Sequence, residues 1–231
     1  MTARKPKFDL ATYDQAADRI THPPGGLAWK RRYNGNVLAA FNALARAKKS
    51  GDTAAIIDAA ERYTSLCQSE NRLYKMIMAV GDQPAEVFWP VWLTDWPAID
   101  YSAEWHEMLP GMFKRKGPAH SFYDTDAKAV FDGLPNTIAV YRGCDERFVN
   151  GVSWTTDLKT AEFFATGGRY GRPDNPTIVT GTIKKSSPDL FYVSPGESEV
   201  VCSPKIKRIE KADLDRIIGT ETINGEPDFR S

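Results

Sequence analysis

Residues 191–201, FYVSPGESEVV, run from an apolar aromatic segment through a Pro-Gly turn into a second apolar segment that opens with two glutamates. If the second segment is an extended strand, alternation with a period of two places Glu197, Glu199 and Val201 on one face. A pair of carboxylates beside apolar neighbours is a candidate catalytic pair, because partial burial and a like-charged partner both raise the pKa of a carboxyl group. The alternative is a solvated strand end that carries two surface acids, since most acids are exposed.

The composition is that of a globular protein without a charge bias. The chain has 231 residues, 30 basic and 30 acidic, and 42% of them are hydrophobic. A formal net charge of zero gives no overall argument for a nucleic-acid or membrane partner. No run approaches the roughly 18 apolar residues of a membrane span, and the basic N-terminus lacks the apolar core of a signal peptide. We therefore expect a cytoplasmic protein, or one delivered into a target cell without a conventional signal peptide.

The cysteines and histidines predict no metal site. The cysteines lie far apart, at positions 67, 144 and 202, and the histidines are equally dispersed. Widely spaced thiols in a reducing compartment are typical of a protein core rather than of disulfides or a zinc site. Because the chain shows neither metal-ligand spacing nor a Gly-rich phosphate loop, we expect no metal.

The first half of the chain has helical periodicity. Short helices are predicted at residues 9–20 and 36–49. The apolar face of the second would contain Val37, Leu38, Phe41, Leu44 and Ala45. Gly51 indicates its end, and Asp52 can cap a further helix that reaches about residue 80. Two helices joined by so short a connection are expected to pack antiparallel.

An aromatic-rich stretch follows at residues 87–105. Prolines at positions 84, 90, 97 and 110 argue against one long helix, because proline lacks a backbone N–H. One interpretation is a partner-docking surface, since Trp and Tyr are favoured interface anchors. The other, which we favour, is that these rings pack the helical part onto the second half. The basic run at residues 114–116 is expected to be a solvated loop.

From about residue 119 the pattern changes to short strands, which indicates an α+β fold. Strands are predicted at residues 137–142, 152–155, 177–184, 190–193, 199–202 and 205–209. A helix that starts at Asp124 or Thr125 precedes them, with an inner face of Ala127, Val130 and Phe131. A helix capped by Asp157 interrupts them, with an inner face of Leu158, Ala161, Phe164 and Ala165. A last helix is predicted at residues 211–218.

Three short motifs line up in this second half. They are Val140-Tyr141-Arg142-Gly143, Ser153-Trp154-Thr155 and Glu197-Ser198-Glu199. Alternation puts Arg142 on a buried face, where its charge needs an anionic partner. The planar guanidinium suits phosphate, which it can bind through two N–H groups. The alternative is an arginine at the strand end whose side chain bends into water. Ser153 and Thr155 share the face opposite Trp154. A hydroxyl there can fix the rotamer of a neighbouring carboxylate, although buried Ser and Thr commonly satisfy backbone groups instead.

These motifs resemble those of the mono-ADP-ribosyltransferases of the arginine–serine–glutamate class, the cholera-toxin-like group with a Glu-x-Glu signature. In that family an aromatic-Arg-Gly triplet ends a strand, as Tyr141-Arg142-Gly143 would here. A Ser-x-Ser or Ser-x-Thr strand follows, here Ser153-Trp154-Thr155, and leads into a helix that ends in Phe-Ala, here Phe163-Phe164-Ala165. A turn then delivers Glu-x-Glu. The resemblance covers about residues 136–209, and bulky Trp154 is a departure that we expect to lie in the core.

The resemblance implies NAD as the donor substrate and a split, mixed β-sheet as the fold. It divides the chain into an α-helical N-terminal region, residues 1–118, and an ADP-ribosyltransferase-like catalytic domain, residues 119–231. The helical region lies outside the resemblance and is expected to set the choice of partner rather than the chemistry.

The resemblance also implies roles for single residues. Arg142 would bind a phosphate of NAD, and Ser153 would position the catalytic glutamate. Glu199 would hydrogen-bond the nicotinamide ribose and stabilise the oxocarbenium-like transition state, while Glu197 would orient or deprotonate the acceptor. Further contacts to NAD are expected from Gly143, Ser153, Thr155, Phe164, Arg169 and Arg172. The acceptor-facing turn would offer Phe191 or Tyr192 as the recognition aromatic.

The leading expectation is a toxin or phage-type effector that transfers ADP-ribose from NAD to a macromolecular acceptor, a protein arginine, and releases nicotinamide. One alternative is an NAD glycohydrolase on the same fold, with water as the acceptor. Another is a non-catalytic binding or virion-associated protein whose helical half docks a partner. A membrane partner is not expected, and a nucleic-acid acceptor is disfavoured but stays open.

Overall fold

The computed structural model describes residues 26–67, 69–99, 108–168, 171, 173–188, 190–194, 198–213 and 217, with the main chain alone at 26–34, 69–71 and 192–194. The helix predicted at residues 9–20 lies outside this part of the chain, as do residues 214–216 and 218 of the helix predicted at residues 211–218. That helix does not begin at Lys211, which is the last residue of a strand. Within the described ranges, no helix combines the length and the apolar character that crossing a bilayer requires.

Helices fill the first half of the described chain. They are α1 (Gly26–Ser50), α2 (Thr53–Ser65), α3 (Ser69–Val80), α4 (Ala85–Asp95) and α5 (Leu109–Lys116), with a 3₁₀ turn at Trp96–Ala98. Asp52 caps α2 as predicted, because its Oδ1 accepts from the backbone N–H of Ala55 at 3.1 Å. The single helix predicted up to residue 80 is instead two helices. At the break, Ser65 Oγ donates to the carbonyl of Arg62 at 3.0 Å, a local bond that competes with helix continuation.

The apolar face of α1 is rotated from the predicted one. Leu44 is buried as expected, but Leu38 and Phe41 are 60% and 48% exposed. The helix packs on α2 through a stripe that centres on Ala40 and Leu44. Small alanines allow the two helices to approach closely. Phe41 lies at the edge of this contact, with its ring 5.7 Å from that of Tyr63 between centroids.

The aromatic stretch is not one long helix, as the prolines predict, although Pro90 does not break α4. Pro84 precedes α4 and Pro110 lies in the first turn of α5, where the missing N–H costs nothing. Pro90 lies inside α4, which continues because it is buried along most of its length. The basic run at residues 114–116 is the last turn of α5 rather than a loop. Lys116 donates to the carbonyl of Gln83 and lies over the ring of Phe88, 5.1 Å from its centroid.

The second half forms one antiparallel sheet. After α6 (Thr125–Gly133), the strands are β1 (Thr137–Asp145), β2 (Ser153–Thr155), β3 (Pro176–Lys184), β4 (Phe191–Ser194), β5 (Glu199–Val201) and β6 (Lys205–Lys211), with α7 (Leu158–Thr166) between β2 and β3. The strand order is β4-β5-β2-β1-β3-β6. The α+β class is therefore correct.

The predicted split, mixed sheet is not what the described strands form. Every pairing among them is antiparallel, and together they make a single six-stranded sheet. The reason lies in the crossover. Helix α7 carries the chain past β1, so β3 pairs with the far edge of β1 and never lies beside β2, to which it is parallel.

The sheet is apolar on both faces. Val201 and Phe191 lie in one hydrophobic cluster with the aromatic residues of α4 and α5. Val200 and Cys202 lie in a second cluster with Trp154 and with Phe131 of α6. Alternation predicted this separation of Val201 from Val200. Trp154 is a core residue, as expected.

The aromatic stretch packs the helical region onto the sheet, as we favoured. The ring of Phe191 in β4 lies 5.3 Å from that of Trp89 and 5.2 Å from that of Phe113, measured between centroids. The boundary drawn at residue 118 thus crosses a continuous hydrophobic cluster, which also contains Ala119 and Val152.

Fewer side chains of α6 and α7 are buried than predicted. Ala161 and Ala165 of α7 are buried, as is Phe131 of α6. Leu158 and Val130 are 40% and 38% exposed and point away from the sheet. Because α7 lies close to β1, only its small residues fit at the contact.

Candidate active site

Glu199 stands where β5 begins, beside the middle strands of the sheet. The register pairs Thr155 with Glu199 and Ser153 with Val201, so the three polar residues share one face. Ser153 Oγ donates to Glu199 Oε1 at 2.6 Å, a short bond of the kind that a charged acceptor makes. The structure thus brings together the second and third motifs. The carboxylate is half-buried.

Trp96 is a neighbour of this carboxylate that the motifs do not indicate. Its indole Nε1 donates to the same Oε1 of Glu199 at 3.2 Å. The residue comes from the 3₁₀ turn after α4, in the region outside the family resemblance. The aromatic stretch was recognisable in the sequence, but only the packing of α4 and its following turn over the sheet places this ring beside β5.

Arg142 lies on the opposite face of the sheet from Glu199. Tyr141 pairs with Thr155, which pairs with Glu199, so the next residue along β1 faces away. Its Nη1 donates to the carbonyl of Ser153 at 2.6 Å and its Nε to that of Phe148 at 3.0 Å. Burial lowers the pKa of the Arg142 guanidinium from its ordinary value. Arg142 therefore supports the backbone that carries Ser153, and binding of a phosphate stays a prediction.

Two glycines are needed for close approaches around these residues. A Cβ on Gly151 would overlap the guanidinium of Arg142, so only glycine lets that side chain reach its carbonyl partners. A Cβ on Gly143 would overlap the carbonyl of Ala161 and lie 2.6 Å from the backbone nitrogen of Ala165. Gly143 was predicted to contact NAD. In this structure it lets α7 lie directly on β1.

Thr155 and Phe164 were also predicted to contact NAD. Thr155 is buried, and its Oγ1 accepts from the backbone N–H of Asp157 at 3.0 Å, just before α7. Phe164 is half-buried, with its ring edge-on to Phe163 at 5.4 Å between centroids. Arg169 and Arg172 lie outside the described residues.

The two glutamates are not related by strand alternation. Ser198 between them has φ 49°, in the left-handed region, and β5 begins only at Glu199. Alternation requires extended backbone, so the prediction that both carboxylates point the same way for that reason is wrong. The carbonyl of Ser198 accepts from the N–H of Thr156 at 3.0 Å, which ties this turn to the end of β2. Glu197 itself lies outside the described residues.

Phe191 was predicted to recognise the acceptor, and this prediction is wrong. The side chain is fully buried among the rings of α4 and α5 and cannot meet a macromolecule. Its pairing with Val201 places it on the covered face of the sheet. Tyr192, the alternative, pairs with Val200 through its main chain.

In the described part of the chain, no group of three or more His, Cys, Asp or Glu side chains could hold a metal ion. No family model, curated protein or solved structure matches the chain. The family resemblance therefore depends on the three motifs alone. What the geometry provides is a half-buried carboxylate with one oxygen fixed by two donors, at the mouth of a short strand.

Proposed function

We propose that this protein transfers ADP-ribose from NAD to a macromolecular acceptor, a protein arginine, and releases nicotinamide. The observation that carries the proposal is the 2.6 Å hydrogen bond from Ser153 Oγ to Glu199 Oε1. The family resemblance predicted this pairing from two motifs that are 46 residues apart in the chain.

The chemistry needs a fixed carboxylate. As the glycosidic bond to nicotinamide breaks, the ring takes the bonding electrons and leaves neutral, and positive charge develops on the ribose. A carboxylate held beside that sugar interacts more strongly with the transition state than with the ground state, which accelerates the step. With Oε1 of Glu199 occupied by Ser153 and Trp96, its second oxygen is the one available to the ribose.

The acceptor completes the reaction. Its nitrogen forms the new bond to the anomeric carbon and loses a proton, which Glu197 would accept or direct. Arg169 and Arg172 are the proposed phosphate contacts, while Arg142, on the other face of the sheet, holds the backbone of Ser153. Transfer to arginine rather than to another acceptor rests on the Glu-x-Glu signature.

The experiment is incubation of the purified protein with NAD labelled in the adenylate phosphate, together with a bacterial lysate. Free nicotinamide is measured by chromatography, and the label is located on a denaturing gel. We expect nicotinamide release and a labelled protein band that neutral hydroxylamine removes slowly, as an arginine linkage should behave. Label found only in free ADP-ribose would identify a glycohydrolase instead. No nicotinamide release would leave a non-catalytic binding protein.

A further inference from the structure

We propose that Trp96 is a positioning residue of this site, and that the helical region thereby completes the catalytic centre instead of serving only to dock a partner. This inference rests on the proposed function. It starts from the 3.2 Å hydrogen bond between the indole Nε1 of Trp96 and Oε1 of Glu199, two residues 103 positions apart.

The two donors approach Glu199 from different parts of the molecule. Ser153 lies in β2 of the same sheet, whereas Trp96 comes from the turn that packs over it. A carboxylate with a single donor can still rotate about its terminal torsion, which is broad in side chains of this type. Two donors on one oxygen restrict that rotation and hold the other oxygen in one direction. Such preorganisation is what electrostatic stabilisation of a transition state requires.

The indole ring itself is held firmly. Trp96 is 4% exposed, with its ring stacked 6.0 Å from that of Trp92 and edge-on to Phe191 at 5.9 Å. These contacts fix the plane of the ring, and therefore the direction of its N–H. A donor that is already immobile loses little entropy when it binds the carboxylate.

Buried polar groups also anchor the turn that carries Trp96. Asp95 is 6% exposed and accepts a hydrogen bond from the hydroxyl of Thr64 in α2. Arg72 of α3 donates to the carbonyl of Ala98 at 3.3 Å and to that of Cys67 at 3.2 Å. The turn is thus tied to the junction of α2 and α3. Hydrogen bonds of this kind favour one arrangement of the turn, which here is the one that aims Trp96 at Glu199.

A purely structural role for Trp96 is the competing interpretation, and Trp89 provides the matched control. Trp89 belongs to the same cluster and is fully buried, but its indole nitrogen has no hydrogen-bond partner among the described residues. Replacing either residue by Phe removes similar ring volume. Only Trp96→Phe removes a donor from Glu199.

The test compares Trp96→Phe, Trp89→Phe and the wild-type protein in NAD turnover. We expect Trp96→Phe to lower kcat about tenfold, the effect of one hydrogen bond to a charged group, with the KM for NAD within about twofold of wild type. Trp89→Phe should keep the wild-type kcat. An unchanged kcat in Trp96→Phe overturns the inference, and so does an equal loss in both variants, which would indicate packing alone.

Indole N–H signals in ¹⁵N-labelled protein decide the question if Trp96→Phe does not fold. The Trp96 signal should move in a Glu199→Gln variant by more than the Trp89 signal does. A Trp96 signal that stays in place overturns the inference. A wild-type protein without NAD turnover overturns the proposed function and this inference together, whereas normal turnover in a folded Trp96→Phe variant overturns the inference alone.

Discussion

The ring of Phe191 packs edge-on against the ring of Phe113, with 5.2 Å between their centroids. One residue belongs to β4 of the sheet and the other to α5 of the helical region. Their contact, together with that of Phe191 and Trp89, closes a single hydrophobic cluster over the sheet face that carries Glu199. The helical region is therefore part of the environment of the candidate site.

Phe191→Ala should destabilise the whole protein by about 3–5 kcal/mol, the usual cost of truncating a buried aromatic residue. Phe148→Ala is the control, because that ring is 44% exposed and its loss should change stability little. Urea unfolding followed by fluorescence measures both.

By the same reasoning, residues 119–231 alone should not fold. A stable, independently folded fragment, or a Phe191→Ala protein as stable as wild type, would contradict the shared core.

Arg142→Lys keeps the positive charge but cannot make two divergent N–H bonds. The carbonyls of Phe148 and Ser153 would lose a donor each, so we expect a loss of about 1–3 kcal/mol in stability. We also expect weaker NAD binding, because Ser153 and any phosphate contact are disturbed. Calorimetric titration with NAD measures the second effect. An unchanged affinity in a folded variant would rule out a phosphate role and leave the structural one.

The backbone at Ser198, next to Glu199, is strained, and this strain can be tested. Its φ of 49° disfavours any side chain with a Cβ, and β-branched residues most. Ser198→Gly should stay within about 1 kcal/mol of wild type, since relief of strain offsets the greater freedom of the unfolded chain. Ser198→Val should lose about 1–2 kcal/mol. Chemical denaturation measures the stabilities of the wild type and the two variants. A valine variant as stable as wild type would mean that this turn is not left-handed.

Asp145 should make stability depend on acid pH. Hydrogen bonds from the Arg147 side chain and from the backbone N–H groups of Arg147 and Asn175 hold the pKa of this buried carboxyl well below its usual range. A depressed pKa contributes stability above the unfolded value near 3.9, and that stability is lost as pH falls through the folded value.

The variant Asp145→Asn should accordingly be less stable at pH 7 and lose less further stability between about pH 4 and pH 2. Asp174→Asn is the control. It removes Asp174, the other acidic partner of Arg147. The Asp174 side chain is 79% exposed, so its loss should change the stability little. Parallel pH profiles for Asp145→Asn and the wild type would exclude this linkage.

Local signals in the sequence predicted much of the fold. Strand positions and the capping residues Asp52 and Asp157 follow from alternation and turn chemistry, and the structure confirms them. The helix predicted to start at Asp124 or Thr125 starts at Thr125. The rotated face of α1 and the continuation of α4 through Pro90 did not follow. Both depend on which neighbour each helix packs against, and tertiary burial outweighs local propensity there.

The candidate site was predictable only where the motifs lie on strands. Ser153 and Glu199 meet because β2 and β5 are neighbours, and their meeting is what the family resemblance implied when it gave Ser153 the role of positioning a glutamate. Phe191 was misassigned because an aromatic residue beside a turn has the same local pattern whether it is buried or exposed. Trp96 could not be assigned, because its contact joins two segments that have no shared periodicity.

The measurement that tests the central claim most directly is NAD turnover by Glu199→Gln, compared with Glu197→Gln, wild type and Glu146→Gln, an exposed glutamate as control. Glutamine keeps the size of the side chain, and thermal melting verifies folding. We expect Glu199→Gln to lose roughly 10²–10³-fold or more in both nicotinamide release and transfer, the cost of removing one transition-state electrostatic contact. Glu197→Gln should lose transfer and keep much of the hydrolysis, and Glu146→Gln should equal wild type. Wild-type nicotinamide release by a folded Glu199→Gln protein would contradict the account.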